Sequence, residues 1–144
     1  MATSVHLGYP GAVGGAAVGA ARSPKQASRV RRHDETDFMQ SLFDALTKCG
    51  ILVWRNNTGV AKWDNGARTR YGIGKGGADL VGCVGGAFFG IETKAKTGQS
   101  PAQVAWQRAV EQAGGLYILA RTGDTVAEVV ERVLAWGRAW GRTT

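Results

Sequence analysis

The fold is decided by Ala78-Asp79-Leu80-Val81-Gly82-Cys83-Val84-Gly85-Gly86-Ala87-Phe88-Phe89-Gly90-Ile91-Glu92-Thr93-Lys94. This segment contains two mostly apolar runs whose length and composition are typical of buried β-strands. The pair Gly85-Gly86 lies between the runs and indicates a tight hairpin turn. We therefore predict two neighbouring strands, residues 78–84 and 87–94.

Three charged side chains interrupt these apolar runs. Asp79 lies near the start of the first run, and Glu92 and Lys94 lie at the end of the second. Because side chains alternate between the two faces of a strand, Glu92 and Lys94 project from the same face. Pairing of the two strands would bring Asp79 beside Glu92. Two carboxylates next to an ammonium group form a site for a hard divalent cation, and such a site suits phosphodiester hydrolysis.

A plainer interpretation exists for the same residues. A Glu and a Lys two positions apart on a strand often form an exposed polar face, and an Asp near a strand end is usually solvated. The apolar and glycine-rich residues that flank Glu92 and Lys94 favour the site.

Upstream of this segment, the sequence predicts one helix and one strand. Asp34 is typical of a helix N-cap, with Asp37 in the first turn. The apolar stripe of the helix comprises Phe38, Leu42, Ala45, Leu46 and Cys49. Gly50 indicates the helix end, and residues 51–54 indicate a short buried strand.

Residues 55–77 are polar, basic and rich in glycine, which predicts a long loop or an irregular hairpin. Trp63 and Tyr71 lie among its cations. This mixture suits contacts with the phosphates and bases of a nucleic acid. A solvated hairpin whose aromatic side chains pack locally explains the composition equally well.

Downstream, the sequence predicts a helix, a strand and a final helix. Ser100 and Pro101 are typical of an N-cap and first helical residue, and Gly114-Gly115 ends the helix. Its apolar stripe comprises Ala102, Ala105, Trp106, Ala109, Val110 and Ala113. Residues 116–120 predict a strand, and Thr125 with Glu128 a capping box. The last helix carries Val126, Val129, Val130, Val133, Gly137 and Trp140 on one side, which we interpret as core.

The order of elements predicts an α/β fold. A helix, a strand, the long loop, two strands, a helix, a strand and a helix give a central mixed sheet of about four strands flanked by helices. The last strand–helix–strand crossover should be right-handed and should place strand 116–120 parallel to a neighbour.

Charge and composition divide the 144 residues into two parts. Residues 1–33 contain five basic residues and no acidic ones, whereas residues 34–144 contain 13 basic and 11 acidic residues. We predict a disordered basic arm over 1–33 and one domain over 34–144. The formal charge of +7 favours a polyanion, with nucleic acid the first candidate. Cys49 and Cys83 are interpreted as small buried side chains in a reducing compartment. No segment is suited to spanning a membrane.

Residues 35–120 resemble the VRR-NUC branch of the PD-(D/E)XK nuclease superfamily. The resemblance is carried by Glu35, the segment 50–57 (GILVWRNN), Gly77-Ala78-Asp79-Leu80, Ile91-Glu92-Thr93-Lys94 and Ser100-Pro101-Ala102-Gln103. One departure is Gly77-Ala78 before the first acid, where the family pattern has a proline. The resemblance implies a restriction-endonuclease-like α/β core.

The resemblance also implies roles for particular side chains. Asp79 and Glu92 would bind Mg²⁺ or Mn²⁺, with the Thr93 carbonyl as a third ligand. Lys94 would orient or deprotonate the attacking water or stabilise charge on the phosphorane. Gln103 would support the site, and Glu35 would add outer-shell or second-metal contacts. The phosphate backbone would be held by Arg55, Lys62, Arg68, Arg70, Lys75 and Lys96.

The implied function is metal-dependent cleavage of DNA, structure-selective and similar to that of Holliday-junction resolvases. Branched or duplex DNA is the expected substrate and a homodimer the expected assembly. The resemblance is to small stand-alone phage or bacterial members, which implies the cytoplasm of a bacterium or of a phage-infected cell. Two alternatives stay open. One is a nucleic-acid-binding protein without catalysis, and the other is an assembly protein that docks through Trp136 and Trp140.

Overall fold

The computed structural model describes residues 24–141, with side chains described from residue 34 onward. Its elements in chain order are α1 (Pro24–Lys48), β1 (Leu52–Arg55), β2 (Gly59–Lys62), β3 (Arg68–Tyr71), β4 (Leu80–Val84), β5 (Ala87–Lys94), α2 (Pro101–Gln112), β6 (Leu116–Arg121) and α3 (Val126–Trp140). The predicted α/β class is therefore confirmed, together with the order of the predicted elements.

The central sheet has four strands in the order β1-β4-β5-β6. β4 pairs antiparallel with both β1 and β5, and β5 pairs parallel with β6. The mixed sheet and the parallel placement of the 116–120 strand are thus confirmed. Gly85 and Gly86 have positive φ angles of 57° and 86°, which the tight β4–β5 turn requires and which glycine adopts without strain.

Helices cover both faces of this sheet. α1 and α3 pack on one face, where Phe89 and Ile91 of β5 are completely buried. α2 packs on the other face, over Val81 and Tyr117. The predicted α3 stripe is core, since Val129, Val130, Val133 and Gly137 are buried. Because β5 alternates between two covered faces, most of its residues are removed from water.

The start of α1 corrects the predicted boundary at Asp34. The helix begins at Pro24, so residues 24–33 are helical where the sequence analysis expected a disordered arm. Proline is favoured at the first helical position because its φ angle suits a helix and its missing N–H would have no intrahelical partner. Asp34 is accordingly an exposed residue within the helix and not its cap. The rest of the predicted arm, residues 1–23, lies outside the described residues.

The predicted stripe of α2 is wrong in part. Ala105, Ala109 and Ala113 are exposed, whereas Gln103 and Gln107 are partly buried. The inward face therefore includes two glutamines, because their amides find hydrogen-bond partners beneath the helix. Alanine is a poor guide to the buried face, since burying one methyl group contributes little.

Two further features complete the fold. β2 and β3 form a separate antiparallel hairpin within the segment predicted as a loop or irregular hairpin. Cys49 is exposed and Cys83 partly buried, so the expectation of two buried cysteines is wrong for Cys49, which follows the last residue of α1. No helix within residues 24–141 is long and apolar enough to cross a membrane.

Candidate active site

Asp79 and Glu92 meet at one end of the central sheet. Leu80 of β4 pairs with Ile91 of β5, so the antiparallel register, continued by one residue, sets Asp79 opposite Glu92. Directly opposed residues have Cβ atoms roughly 5 Å apart, close enough for their charges to interact. The amide N–H of Asn56, next to β1, donates to the carbonyl of Asp79 at 2.8 Å and fixes the backbone there.

Glu92 is the most unusual side chain of this cluster because it is a carboxylate that is only 2% exposed. Its Oε1 accepts from Lys94 Nζ at 2.9 Å and also from the Gln103 amide. Its Oε2 is buried and has no hydrogen-bond partner. A buried carboxylate oxygen without a partner is costly, so the site is short of one positive or hydrogen-donating group.

The electrostatic environment reflects this deficit. Burial raises the pKa of Glu92 above its ordinary value of 4.5, and the negative charge of Asp79 raises it further. Lys94 opposes both effects through its hydrogen bond and its charge, and Glu35 adds a smaller upward contribution. A carboxyl group whose proton affinity is raised by burial and by a neighbouring carboxylate is a common feature of cation sites and of catalytic acids.

Asp79 is held from the neighbouring strand. Its Oδ2 accepts from the Thr93 amide N–H at 2.8 Å and from the Thr93 hydroxyl at 2.7 Å. Thr93 is 5% exposed, so both bonds are shielded from water. Thr93, for which the resemblance implies a ligand role through its carbonyl, thus orients Asp79 through its hydroxyl, a contact that the sequence does not reveal.

Gln103 links the start of α2 to Glu92. Its Oε1 accepts from the Ser100 N–H at 2.8 Å, and its backbone N–H donates to the Ser100 hydroxyl, so the two residues form a capping box. With its oxygen engaged by the cap, the amide must direct its NH₂ group away from Ser100, and that group donates to Glu92. The capping box thus fixes the orientation of a donor to the site.

A cavity of about 310 Å³ opens beside these residues. Its lining residues are Glu35, Thr36, Met39, Arg55, Asn56, Asn57, Asp79, Thr93 and Lys94. Glu35 Oε1 accepts from the Ala95 N–H at 2.6 Å, so Glu35 ties α1 to the end of β5 as well as lining the cavity. Glu92 is not among the lining residues, but its Oε1 is contacted by Lys94, which lines the cavity, and by Gln103.

Asn56 is the site residue that sequence reasoning missed. Its Nδ2 donates to the Ala78 carbonyl at 2.9 Å, and its Oδ1 accepts from the Ile73 N–H at 3.1 Å. Together with the backbone bond between Asn56 and Asp79, these contacts hold the two ends of the segment 56–79 next to each other. An asparagine at the end of a strand was the only available signal, and it does not reveal partners this distant in sequence.

A second set of hydrogen-bonded polar side chains lies beneath α2, near Glu92. Gln99 Nε2 donates to the Tyr117 hydroxyl at 3.1 Å and to Gln107 Oε1 at 3.0 Å. Burial, followed by the negative charge of Glu92, raises the pKa of Tyr117 to about 12. Tyr117 therefore stays protonated and neutral, and its ring packs against Trp106 in the core beneath α2.

The basic residues expected to hold phosphates are distributed over three places. Arg55 lines the cavity and donates weakly to Gln40. Lys96 is exposed just beyond β5. Lys62, Arg68, Arg70 and Lys75 are exposed on the β2–β3 hairpin and the segment that follows it. The structure thus brings Asp79, Glu92, Thr93, Lys94, Gln103 and Glu35 together, with Arg55 nearby and the hairpin cations outside the cavity.

The donor set is compatible with a hard divalent cation. Within residues 24–141, no group of three or more His, Cys, Asp or Glu side chains is arranged to hold a metal ion. Mg²⁺ requires fewer, because it commonly binds one or two carboxylates and keeps several waters. The unsatisfied Glu92 Oε2 supplies the observation that such an ion would explain.

Comparison with known proteins adds no family. No protein family, curated protein or solved structure matches the chain. The functional conclusion therefore depends on the geometry of the site.

Proposed function

We propose that the protein is a metal-dependent endonuclease that hydrolyses phosphodiester bonds in DNA, with a PD-(D/E)XK-type site. One observation carries the proposal: Glu92 is 2% exposed, yet its Oε2 has no partner. Its Oε1 is paired with Lys94, whereas a carboxylate oxygen left buried without a partner lowers the free energy of unfolding. Asp79, immediately before the adjacent strand, and Lys94 on β5 supply the other groups that phosphodiester hydrolysis needs.

Asp79 and Glu92 are the residues that would hold Mg²⁺ or Mn²⁺. When bound, such an ion lowers the pKa of a coordinated water and offsets the charge that develops on the phosphate. Thr93 holds Asp79 in place through two hydrogen bonds, and Gln103 holds Glu92 through one. Mutation of residues that fix metal ligands in this way commonly lowers metal affinity or activity by about 10- to 100-fold.

Lys94 has the position of the second charged participant. Its ammonium group bonds to Glu92, its side chain is 19% exposed, and it lines the cavity that a phosphate would enter. From there its ammonium group can donate a hydrogen bond to a phosphate oxygen or to the attacking water, and it can stabilise the negative charge that develops on the phosphate. Arg55, which also lines the cavity, provides a second cation for the backbone phosphates.

Two observations favour the alternative of a nucleic-acid-binding protein without catalysis. Asp79 Oδ2 already accepts two hydrogen bonds from Thr93, and the part of the chain that the structure describes has no group of three or more His, Cys, Asp or Glu side chains arranged to hold a metal ion. A noncatalytic protein would keep the exposed cations and bind DNA without a metal. Cleavage assays separate the two functions.

The test is cleavage of labelled four-way junction, flap, linear duplex and single-stranded DNA with Mg²⁺, with Mn²⁺ and with EDTA. We expect metal-dependent cleavage that disappears in Glu92→Ala. Glu131→Ala provides a matched control, because Glu131 is an exposed glutamate on α3 that pairs with Arg138. Binding of DNA without cleavage under every metal condition would overturn the proposal in favour of the noncatalytic function.

A further inference from the structure

The β2–β3 hairpin has two chemically distinct faces. Gly59 pairs with Tyr71, Val60 with Arg70, Ala61 with Thr69 and Lys62 with Arg68. Because side chains alternate between faces, Val60, Lys62, Arg68 and Arg70 lie on one face of the hairpin. Ala61, Thr69 and Tyr71 lie on the other, and Trp63 joins them, since its Nε1 donates to Thr69 Oγ1 at 2.9 Å.

The first face carries three cations, and their mutual repulsion lowers the stability of the hairpin. Lys62 and Arg68 stand directly opposite each other across the two strands, and Arg70 follows on the same face. Like charges in opposed positions destabilise a sheet, and an isolated two-stranded hairpin is only marginally stable. Asp64, in the turn, is the one acidic residue between residues 55 and 78. The arrangement is explained by a polyanion that binds this face.

The second face exposes two aromatic side chains. Trp63 is 59% exposed and Tyr71 is 52% exposed. Tyr71 lies across Gly59, where a Cβ atom would come within 2.3 Å of the tyrosine hydroxyl, so this glycine makes room for the ring. Rings of this size normally contribute to a core, and here no helix packs extensively on the hairpin among the described residues.

Trp63 is also held in a fixed place. Its N–H donates to the Ala67 carbonyl and its carbonyl accepts from the Gly66 N–H, both at 2.9 Å. Gly66 closes this turn with a φ angle of 81°, which favours glycine. With both its backbone and its indole N–H bonded, Trp63 loses little conformational freedom when a flat ligand stacks on it.

The hairpin is anchored to the candidate active site at both ends. Asn56, just before β2, bonds to Ile73 just after β3 and to Ala78 and Asp79 at the start of β4. A ligand on the hairpin is therefore held by the same segment that carries the first acid of the site. The hairpin and the candidate active site are therefore linked by the backbone between them and by the Asn56 side chain.

We propose that this hairpin binds an unpaired stretch of the DNA, with Trp63 and Tyr71 on one face stacking on exposed bases and Lys62, Arg68 and Arg70 on the opposite face contacting phosphates further along the same strand. Stacking requires a free base face, which duplex DNA does not offer, whereas the cations serve any backbone. The choice of DNA as the ligand rests on the proposed function. The substrate class that we infer is DNA in which single-stranded and paired segments meet.

The experiment measures binding alone, by fluorescence anisotropy in EDTA, so that cleavage does not contribute. The probes are a labelled single strand, the same strand as a blunt duplex, and the duplex with a single-stranded tail. Trp63→Ala is expected to weaken binding of the single strand and of the tailed duplex by roughly 5- to 100-fold, the usual effect of losing one stacked base. Binding of the blunt duplex should change by less than about 2-fold, since it presents no free base face.

Two further variants separate stacking from a folding defect. Trp63→Phe keeps an aromatic ring and should recover most of the single-strand affinity. Trp54→Ala removes another exposed indole, 43% exposed on β1 and outside the hairpin, and should leave all three affinities unchanged. Equal losses for the single strand and the blunt duplex in Trp63→Ala, or no recovery in Trp63→Phe, would overturn the proposal.

The result is distinguishable from a failure of the proposed nuclease. Loss of single-strand preference in Trp63→Ala, with no metal-dependent cleavage by the wild-type protein, would support the hairpin inference and reject the nuclease. Metal-dependent cleavage by the wild-type protein, with Trp63→Ala binding every probe normally, would support the nuclease and reject the hairpin inference.

Discussion

The β4–β5 end of the sheet and the β2–β3 hairpin break the usual distribution of side chains in opposite directions. At the sheet end, Glu92 is a charged group that is 2% exposed, whereas on the hairpin Trp63 is an aromatic group that is 59% exposed. Polar groups are normally outside and large aromatic groups mostly inside. Departures that lower stability are expected at functional sites, so each region indicates a ligand that would compensate it.

The difference between the two regions is informative about their ligands. The buried region is short of positive charge beside one carboxylate oxygen, which suits a small cation. The exposed region has an excess of cations and free ring faces, which suits a long polyanion with flat groups. Asn56 joins the two regions through its hydrogen bonds to Ala78 and Ile73.

The largest expected effect comes from Glu92→Gln, which keeps the shape of the side chain and removes its charge. We expect cleavage to fall by roughly 10³-fold or more, because loss of the carboxylate that would hold the metal ion removes several kcal/mol of charge stabilisation in the transition state. DNA affinity in EDTA should change little, since the hairpin is intact. Cleavage rates for the two proteins provide the check, and near-normal cutting by the variant would remove Glu92 from the site.

The same substitution should alter the pH dependence of stability. The pKa of Glu92 is raised in the folded protein, so the folded state binds more protons than the unfolded state at pH values between 4.5 and the raised pKa. The protonated Glu92 stabilises the fold at low pH, and this contribution is lost as the pH rises through the folded pKa. In EDTA, wild-type stability relative to Glu92→Gln should therefore decline with rising pH, as followed by urea denaturation. A difference that is constant with pH would contradict this assignment.

Lys94→Ala should reduce cleavage by roughly 10²- to 10⁴-fold, the range for a side chain that transfers or positions a proton. Lys96→Ala is the matched control, because Lys96 is exposed two residues further along the chain and its substitution removes the same charge. Single-turnover cleavage with saturating enzyme measures the effect apart from binding. Equal rates for the two variants would show that Lys94 acts only through general charge.

Gln103→Ala tests whether the α2 cap positions Glu92. We expect cleavage to fall by about 10-fold, because Glu92 loses a hydrogen bond that orients it. Glu128→Ala is the control, since it breaks the Thr125–Glu128 capping box at the start of α3. Both variants should lower the thermal midpoint, and only Gln103→Ala should lower the cleavage rate. A parallel loss of activity in Glu128→Ala would attribute the effect to destabilisation.

The smallest expected effect is on the hairpin. Arg68→Thr removes the like-charge pair with Lys62 and introduces a β-branched residue that favours strands. The hairpin should gain a few tenths of a kcal/mol, while the affinity for every DNA probe should fall a few-fold and its salt dependence should weaken. Amide hydrogen exchange in the hairpin and anisotropy at two salt concentrations provide the measurements. A loss confined to duplex DNA would place Arg68 in a different contact.

The central sheet could be predicted from the sequence because its signals are local. Glycine pairs mark the β4–β5 turn, and period-two alternation sets Glu92 and Lys94 on one face. The start of α1 could not be predicted from Asp34, since an acid near a helix start is equally common inside the first turns. The inward face of α2 was misassigned because alanine counts as apolar even where it is exposed.

The acidic residues of the candidate site could be predicted from the sequence, whereas the residues that position them could not. Asp79 and Glu92 interrupt apolar runs, which draws attention to them. Asn56 contacts Ala78 and Ile73, which are 22 and 17 residues away in sequence, so no local pattern indicates its role. The orientation of Gln103 likewise depends on two partners at once, Ser100 and Glu92, and only the folded structure reveals the second.

The most direct test is the thermal midpoint of wild-type protein and Glu92→Gln at neutral pH, measured first in EDTA and then with increasing Mg²⁺. We predict that Glu92→Gln is the more stable protein in EDTA, because the substitution removes a carboxyl group whose ionised form is disfavoured by burial and by Asp79. Mg²⁺ should raise the wild-type midpoint and leave that of the variant nearly unchanged, because binding stabilises only the protein that holds the ion. A wild-type protein that is the more stable in EDTA and does not respond to Mg²⁺ or Mn²⁺ would contradict the assignment of a metal site to Glu92.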